Sequence, residues 1–247
     1  MKKVLSVNNL SKIYHSPTNE TLALKDITFS ASKGEFISIV GPSGCGKSTI
    51  LSILSGLLDK SSGDIKLENA SMSYMLQNDC LLPYLTILDN CLIGLKIRGM
   101  LNDENKEYVI KLLKTYGLDD FIDKYPSNLS GGMRQRVALI RTLATKPDIL
   151  LLDEAMSALD YQSRLNISDD IYNIIKSEGV TAIMVTHDIS EAISMSDRVI
   201  VLSKRPAVVK NIYEIKLKNK STPINNRSDK EFSKYFDLIW RDLNGKV

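Results

Sequence analysis

Three short stretches of this chain carry residue types whose spacing suits phosphate chemistry. The first is Gly41, Pro42, Ser43, Gly44, Cys45, Gly46, Lys47, Ser48 and Thr49, which satisfies GxxxxGK[ST]. Glycines let the backbone wrap so that successive N–H groups face an anion, and a helix beginning at Lys47 would point the positive end of its dipole there. Lys47 can reach the β- and γ-phosphates of a nucleotide, and the Ser48 hydroxyl suits a Mg²⁺ ligand. The second is Ile149-Leu-Leu-Leu-Asp153-Glu154, an apolar run ending in two carboxylates. Asp153 suits Mg²⁺, since hard cations prefer oxygen. Glu154 is then placed to polarise an attacking water. The third is Leu129-Ser130-Gly131-Gly132-Met-Arg-Gln-Arg136. Ser130 is a good N-cap, and the two glycines expose helix-terminal N–H groups to an anion. Glycine costs about 0.5–1 kcal/mol against alanine inside a helix, so stability alone does not call for two. A second anion-binding helix end implies one phosphate gripped from two sides.

The elements that must hold these groups are legible in the apolar pattern. Phe36–Val40 reads as a strand leading into the glycine-rich loop, and Lys47–Leu58 as the helix after it. Ile149–Leu152, Thr181–Val185 and Arg198–Leu202 read as further short buried strands. Tyr161–Glu178 and Ile189–Ser196 read as helices, the latter opened by Asp188 with Glu191 at capping-box spacing. Strands alternating with helices imply an α/β core with a mostly parallel sheet. The N-terminal stretch to about Ala31 and the segment Gly63–Met75 read as antiparallel strands. Leu85–Leu129 is mainly helical, with Glu104–Tyr116 the clearest helix and Gly117 its C-cap, and reads as an inserted lobe.

The chain has 247 residues, 43% hydrophobic and 25% charged, with a net charge of +3. Those fractions belong to an ordinary globular protein and exclude a disordered one. The near-balanced charge argues against a protein built to coat nucleic acid. Cys45, Cys80 and Cys91 are odd in number and lack CxxC spacing, so they read neither as a disulfide framework nor as a zinc site. No run suits a signal peptide or a membrane span, so a cytosolic setting is expected, with a partner holding the chain wherever it works at a membrane. Ser203–Val247 carries +6 and the remainder −3. Phe232, Phe236, Ile239 and Leu243 recur there at helical spacing. A terminal helix docked on the core or a sister subunit is favoured over attraction to anionic lipid or an acidic partner, because the basic face is not dense.

In this order and spacing the motifs resemble the ATP-binding subunit of ABC transporters, over nearly the whole chain to about Lys210. Leu129–Arg136 resembles the family signature, with Met133 where glutamine is commoner. Gln77 resembles the glutamine that touches Mg²⁺ and water, Ser157-Ala-Leu-Asp160 the loop after the catalytic carboxylate, and His187 the switch histidine that contacts the γ-phosphate. Tyr14 matches the aromatic residue on which adenine stacks. Taken alone, His187 would be a polar strand cap and Tyr14 a packed surface aromatic; their place beside the stronger motifs gives them roles. Neither His15 nor Cys45 is given any chemistry of its own.

The resemblance implies a P-loop NTPase (RecA-like) core with an antiparallel β-subdomain and an inserted helical subdomain at about 79–135. The ATPase domain would occupy 1–225, followed by a helical tail at 226–247. ATP and Mg²⁺ are the implied cofactors. Two copies, most simply identical, would close head to tail over two ATP molecules, each held between one copy's phosphate loop and the other's Ser130-Gly131-Gly132, with Asp160 also at the site. Transmembrane permease subunits would be direct partners and a solute-binding protein an indirect one, with no nucleic acid involved. The chain would be cytoplasmic, on the inner face of the cell membrane, with Asn78–Tyr84 as a docking surface. Leu81–Asn90, Tyr125–Gly132, Leu202–Pro206 and the C-terminal Phe-Asp-Leu-Ile-Trp-Arg-Asp-Leu resemble the importer branch for nitrate, sulfonates including taurine, and thiamine precursors. Ala155 in place of proline, Tyr84 in place of tryptophan and a short segment from Gly63 to Gln77 depart from the pattern. A soluble nucleotide kinase, whose opening motif GPSGCGKST also fits, and a non-transport ABC ATPase acting on ribosomes or DNA are the alternatives.

Overall fold

The computed structural model describes residues 2–156 and 160–245. In chain order these form β1 (Lys3–His15), β2 (Glu20–Ser32), β3 (Phe36–Val40), α1 (Lys47–Leu54), β4 (Ser62–Leu67), β5 (Met72–Met75), α2 (Ile87–Ile97), α3 (Asp103–Thr115), α4 (Gly131–Leu143), β6 (Ile149–Asp153), α5 (Tyr161–Ser177), β7 (Thr181–Thr186), α6 (Ile189–Met195), β8 (Arg198–Leu202), β9 (Val209–Glu214), α7 (Pro223–Asn226) and α8 (Lys230–Asn244).

Two sheets carry the fold. The larger has the order β5-β6-β7-β3-β8-β9, and only β9 runs antiparallel to its neighbour. Its central strands are buried on both faces, as parallel strands between two layers must be. Alternate side chains go to opposite layers. Ile149, Leu151, Ile183 and Val185 join the layer under the smaller sheet and α1. Leu150, Leu152, Ala182 and Met184 join the layer beneath the helical lobe. The smaller sheet, β2-β1-β4, is antiparallel throughout.

The antiparallel expectation for Gly63–Met75 holds only for its first half. Met72–Met75 leaves that sheet and pairs parallel with β6, Tyr74 lying opposite Leu151. Four residues of apolar and polar type carry no signal of strand direction, which the β6 edge decides. The helix after the phosphate loop also ends early, at Leu54. Gly56 turns left-handed there at φ 77°, and the Leu57 and Leu58 amides return to the Ser52 carbonyl.

The inserted lobe consists of α2 and α3 packed on α4. Thr86 caps α2 by accepting from the Asp89 amide, and Asn102 caps α3 by accepting from that of Asn105. Val109, Leu112 and Leu113 pack with Cys91, Leu95, Val137 and Ile140. At the other end of the sheet, α8 lays Phe232, Phe236, Ile239 and Leu243 on a cluster formed with α6 and β8. Among the described residues no helix is long and apolar enough to cross a membrane.

Candidate functional site

The phosphate loop crosses from the C-terminal end of β3 into α1. Gly46, at φ 123°, approaches Leu24 so closely that a Cβ would lie 2.7 Å from its Cδ2, so only glycine fits. Lys47 is buried, and its ammonium donates to the carbonyls of Gly41 at 2.9 Å and Pro42 at 3.2 Å. The thiol of Cys45 is buried beneath the loop, and burial pushes it up from its ordinary range. That side chain is packing, and only the backbone N–H of Cys45 belongs to the loop's repertoire.

Two strands away, β6 delivers its carboxylates at the same edge. The Ser48 hydroxyl donates to Asp153 Oδ1 at 2.9 Å, and the Tyr74 hydroxyl donates to Asp153 Oδ2 at 2.7 Å. Burial, reinforced by Asp153, drives the Tyr74 hydroxyl well above the usual phenol range, so it stays a donor. Tyr74 was not legible in the sequence; its place depends on the β5–β6 register. A hydroxyl and a carboxylate oxygen converging within hydrogen-bond distance are a fitting pair of hard ligands for Mg²⁺, which takes few protein oxygens beside those of phosphate.

Glu154 has φ 44°, a left-handed backbone uncommon for a non-glycine residue, with its amide bonded to the Val185 carbonyl at 3.0 Å. This turn aims the carboxylate across the edge. Glu154 Oε2 accepts from Gln77 Nε2 at 3.3 Å and lies 3.3 Å from His187 Nδ1. The three residues come from the ends of β5, β6 and β7. Their meeting sets the Glu154 carboxylate between two polar side chains, an arrangement suited to general-base work.

Tyr14 lies beside α1, its hydroxyl 3.1 Å from Thr49 Oγ1 and its ring under Lys12 Nζ at 5.3 Å. Tyr14 is an exposed aromatic residue, 41% accessible. His15 is paired with Glu20 at 2.9 Å on the surface. Asp160 caps α5, and its hydrogen bonds with Ser163 hold its carboxyl below the usual range. Ser157, Ala158 and Leu159 lie outside the described residues.

The signature is held apart from this cluster. Ser130 is exposed, and its hydroxyl accepts from the Met133 amide at 3.3 Å, capping α4. Among the described residues no hydrogen bond or ion pair joins Ser130, Gly131 or Gly132 to the phosphate loop, Asp153, Glu154 or His187. Gly132 has a packing reason as well. A Cβ there would sit 2.5 Å from Ile167 Cδ1, so the glycine lets α4 and α5 close together. Packing thus supplies a reason for one of the two glycines that the sequence pattern did not show.

Sequence reasoning also missed how the loop after Gln77 is fastened. Arg134, inside the signature, donates from Nε to Asp79 Oδ2 at 3.0 Å and from Nη1 to the Leu129 carbonyl at 2.9 Å. Arg141 donates to the carbonyls of Cys80 at 2.7 Å and Asp79 at 2.5 Å. Helix α4 thus grips the segment that begins at the Glu154 cluster.

The family model described as ABC transporter matches residues 24–157. The chain belongs to the ABC transporter family. It is an ABC ATPase that uses ATP with Mg²⁺. The uncharacterized ABC transporter ATP-binding protein YtlC of Bacillus subtilis (strain 168) is 44% identical, over 97% of this chain and 95% of its own length. The nitrate import ATP-binding protein NrtC of Synechococcus elongatus is 41% identical over 84% of this chain, a match that spans 33% of NrtC. Among solved structures, the dimeric post-hydrolysis state of an ATP-binding cassette bound to ADP and Pi superposes with a TM-score of 0.73 at 30% identity, covering 86% of this chain and 99% of that one. With this membership the soluble-kinase alternative falls away, and the antiparallel sheet, RecA-like core and helical lobe are those of a cassette.

Proposed function

We propose that this cassette drives a membrane importer by closing, as a homodimer, over two ATP molecules. The observation that carries this is the split of phosphate-binding equipment within one chain: a loop with Lys47, Ser48, Asp153 and Glu154 at one place, and a capped, exposed helix start at Ser130-Gly131-Gly132 at another. The dimeric cassette with ADP and Pi supports the pairing.

In this reading Tyr14 stacks on adenine, and the N–H groups of Gly41, Pro42's neighbour Ser43, Gly44, Cys45, Gly46, Lys47, Ser48 and Thr49 cradle the phosphates. The Lys47 ammonium exchanges its two carbonyl partners for phosphate oxygens. Ser48, Asp153 and Gln77 would hold Mg²⁺, which supplies charge neutralisation at the phosphates when bound. Glu154 takes a proton from the attacking water, while His187 donates toward the γ-phosphate and is oriented by Glu154. The partner's helix start, with Asp160 nearby, completes the cage. Loss of the γ-phosphate removes the group that both halves grip, so the pair reopens.

Movement at Gln77 would pass through the Asp79 and Cys80 grip of α4 to the helical lobe. Beside it a groove of about 320 Å³ is lined by Leu57, Tyr74, Ile93, Arg98 and Arg141. Nearby, Asn90 fixes Leu82–Thr86 with four hydrogen bonds and presents the exposed Tyr84. We assign this face, with Asn78–Tyr84, to a transmembrane permease. In this reading the cassette works on the cytoplasmic face of the membrane, with a solute-binding protein as indirect partner. The ATPase domain would span 1–225, with the lobe at about 79–135 and the tail at 226–247.

Nitrate, sulfonate or thiamine-precursor import is favoured by the Leu81–Asn90 and Leu202–Pro206 stretches and by the likeness to NrtC. The experiment is uptake of labelled nitrate, taurine and a thiamine precursor by cells lacking this chain. Loss of one uptake, restored by the wild-type chain and not by Glu154→Gln, is expected. Intact uptake of all three, with the chain co-purifying with ribosomes or DNA, would overturn the importer reading.

A further inference from the structure

The shared-site reading leaves the C-terminal end of the chain unexplained, although that end reaches the same place. Trp240 and Leu243 of α8 face Pro42, Ser43 and His187 across a cavity of about 330 Å³, with Lys204 also on its wall. The arm that brings them there is fixed. Ile239 is fully buried against the core. The Asp242 carboxylate accepts from Asn211 Nδ2 and from the Tyr213 hydroxyl, both at 2.6 Å, and Lys210 Nζ donates to the Asp242 carbonyl. Arg205, in the turn between β8 and β9, donates from Nη2 to the Gly44 carbonyl of the phosphate loop at 2.6 Å. Trp240 is nonetheless 53% exposed, stacked on Phe236 with ring centroids 6.1 Å apart and planes 12° from parallel.

A large, rigidly backed, half-exposed indole costs little entropy to bury and is the residue type that most often anchors an interface. Pro42, Ser43 and His187 border both this cavity and the nucleotide site. A molecule that closes over the nucleotide therefore arrives at the mouth of the cavity. We propose that Trp240 is an anchor of the ATP-closed dimer, covered by the second copy of this chain, so that the C-terminal helix extends the interface beyond the nucleotide. The inference rests on the shared-site reading above.

Trp240 is the sole tryptophan of the chain, so its emission reports this position alone. The test uses the full-length Glu154→Gln protein, with dimer fraction read by sizing chromatography and indole access by acrylamide quenching of the same samples. Adding ATP and Mg²⁺ should blue-shift the emission and reduce quenching several-fold, in proportion to the dimer fraction. Trp240→Ala should raise the concentration for half-dimerisation roughly 30-fold, as a hot-spot truncation does. It should leave ATP affinity of the dilute monomer unchanged, and Trp240→Phe should recover most of the loss. A dimer whose indole stays as quenchable as the monomer's overturns the proposal. Protection by anionic lipid vesicles without a dimer also overturns it, in favour of a membrane contact. No dimer at all defeats the shared-site reading itself, and sizing registers that before quenching is consulted.

Discussion

The edge of the large sheet and the start of α4 both carry the groups proposed to bind phosphate, yet they are built to opposite specifications. At the sheet edge, Lys47, Ser48, Tyr74, Gln77, Asp153, Glu154 and His187 are tied to one another or to the loop within 3.3 Å. At α4, Ser130 is exposed and, among the described residues, bonded only to its own helix turn, on a lobe that packs as a separate layer. The first is a network of mutually bonded side chains. The second is an exposed helix start. In the proposed reading, a site divided in this way makes assembly the step that ATP controls.

The sharpest way to break the comparison is at the preorganised half. Glu154→Gln should retain ATP binding and lose turnover by about 10²- to 10⁴-fold, the usual worth of a general base. Steady-state hydrolysis with a parallel nucleotide-binding titration checks this; near-normal turnover would remove Glu154 from the role. At the other half, Gly132→Ala separates packing from phosphate binding. The clash with Ile167 Cδ1 should cost about 1–3 kcal/mol of stability by urea denaturation. Ile167→Val, which removes that methyl, should restore most of it. A full loss of hydrolysis with no loss of stability would return Gly132 to a purely phosphate-binding role.

A pH-dependent effect probes the floor beneath His187. Burial pushes the Glu191 carboxyl up to about 7, against the hydrogen bond to Thr186, and the Asp188 charge adds to the rise. The folded chain therefore holds this proton more tightly than the unfolded one, whose carboxyl is near 4.5. That stabilisation is complete below about pH 4.5 and disappears as pH rises through about 7. Glu191→Gln should gain on the parent by roughly 3 kcal/mol between pH 4, where the two are equal, and pH 8. Parallel stability curves at both pH values would contradict this.

What the sequence made legible follows the same division. The phosphate loop, Asp153 and Glu154 could be read because each motif is contiguous and the alternation of buried residues fixes its strand. The caps at Ser130 and Asp188 could be read because a cap and the amide that donates to it are three residues apart. Tyr74, the Asp79–Arg134 pair and the Gly132–Ile167 approach could not. Each joins residues distant in the chain, and their types are ordinary until register and packing place them. Met72–Met75 was misdirected for the same reason: the pattern of a four-residue strand specifies its faces but not its partner. The terminal helix lay between. Its apolar spacing announced a docked face, but nothing in that spacing announced that its last turns reach the phosphate loop.

The most direct test of the divided site is sizing chromatography of the Glu154→Gln protein with ATP and Mg²⁺, with and without Ser130→Arg. The account predicts a dimer with ATP alone, its loss on introducing the arginine, and unchanged nucleotide binding by the resulting monomer. A dimer that survives Ser130→Arg, or a wild-type monomer that hydrolyses ATP at full rate however far it is diluted, would contradict it.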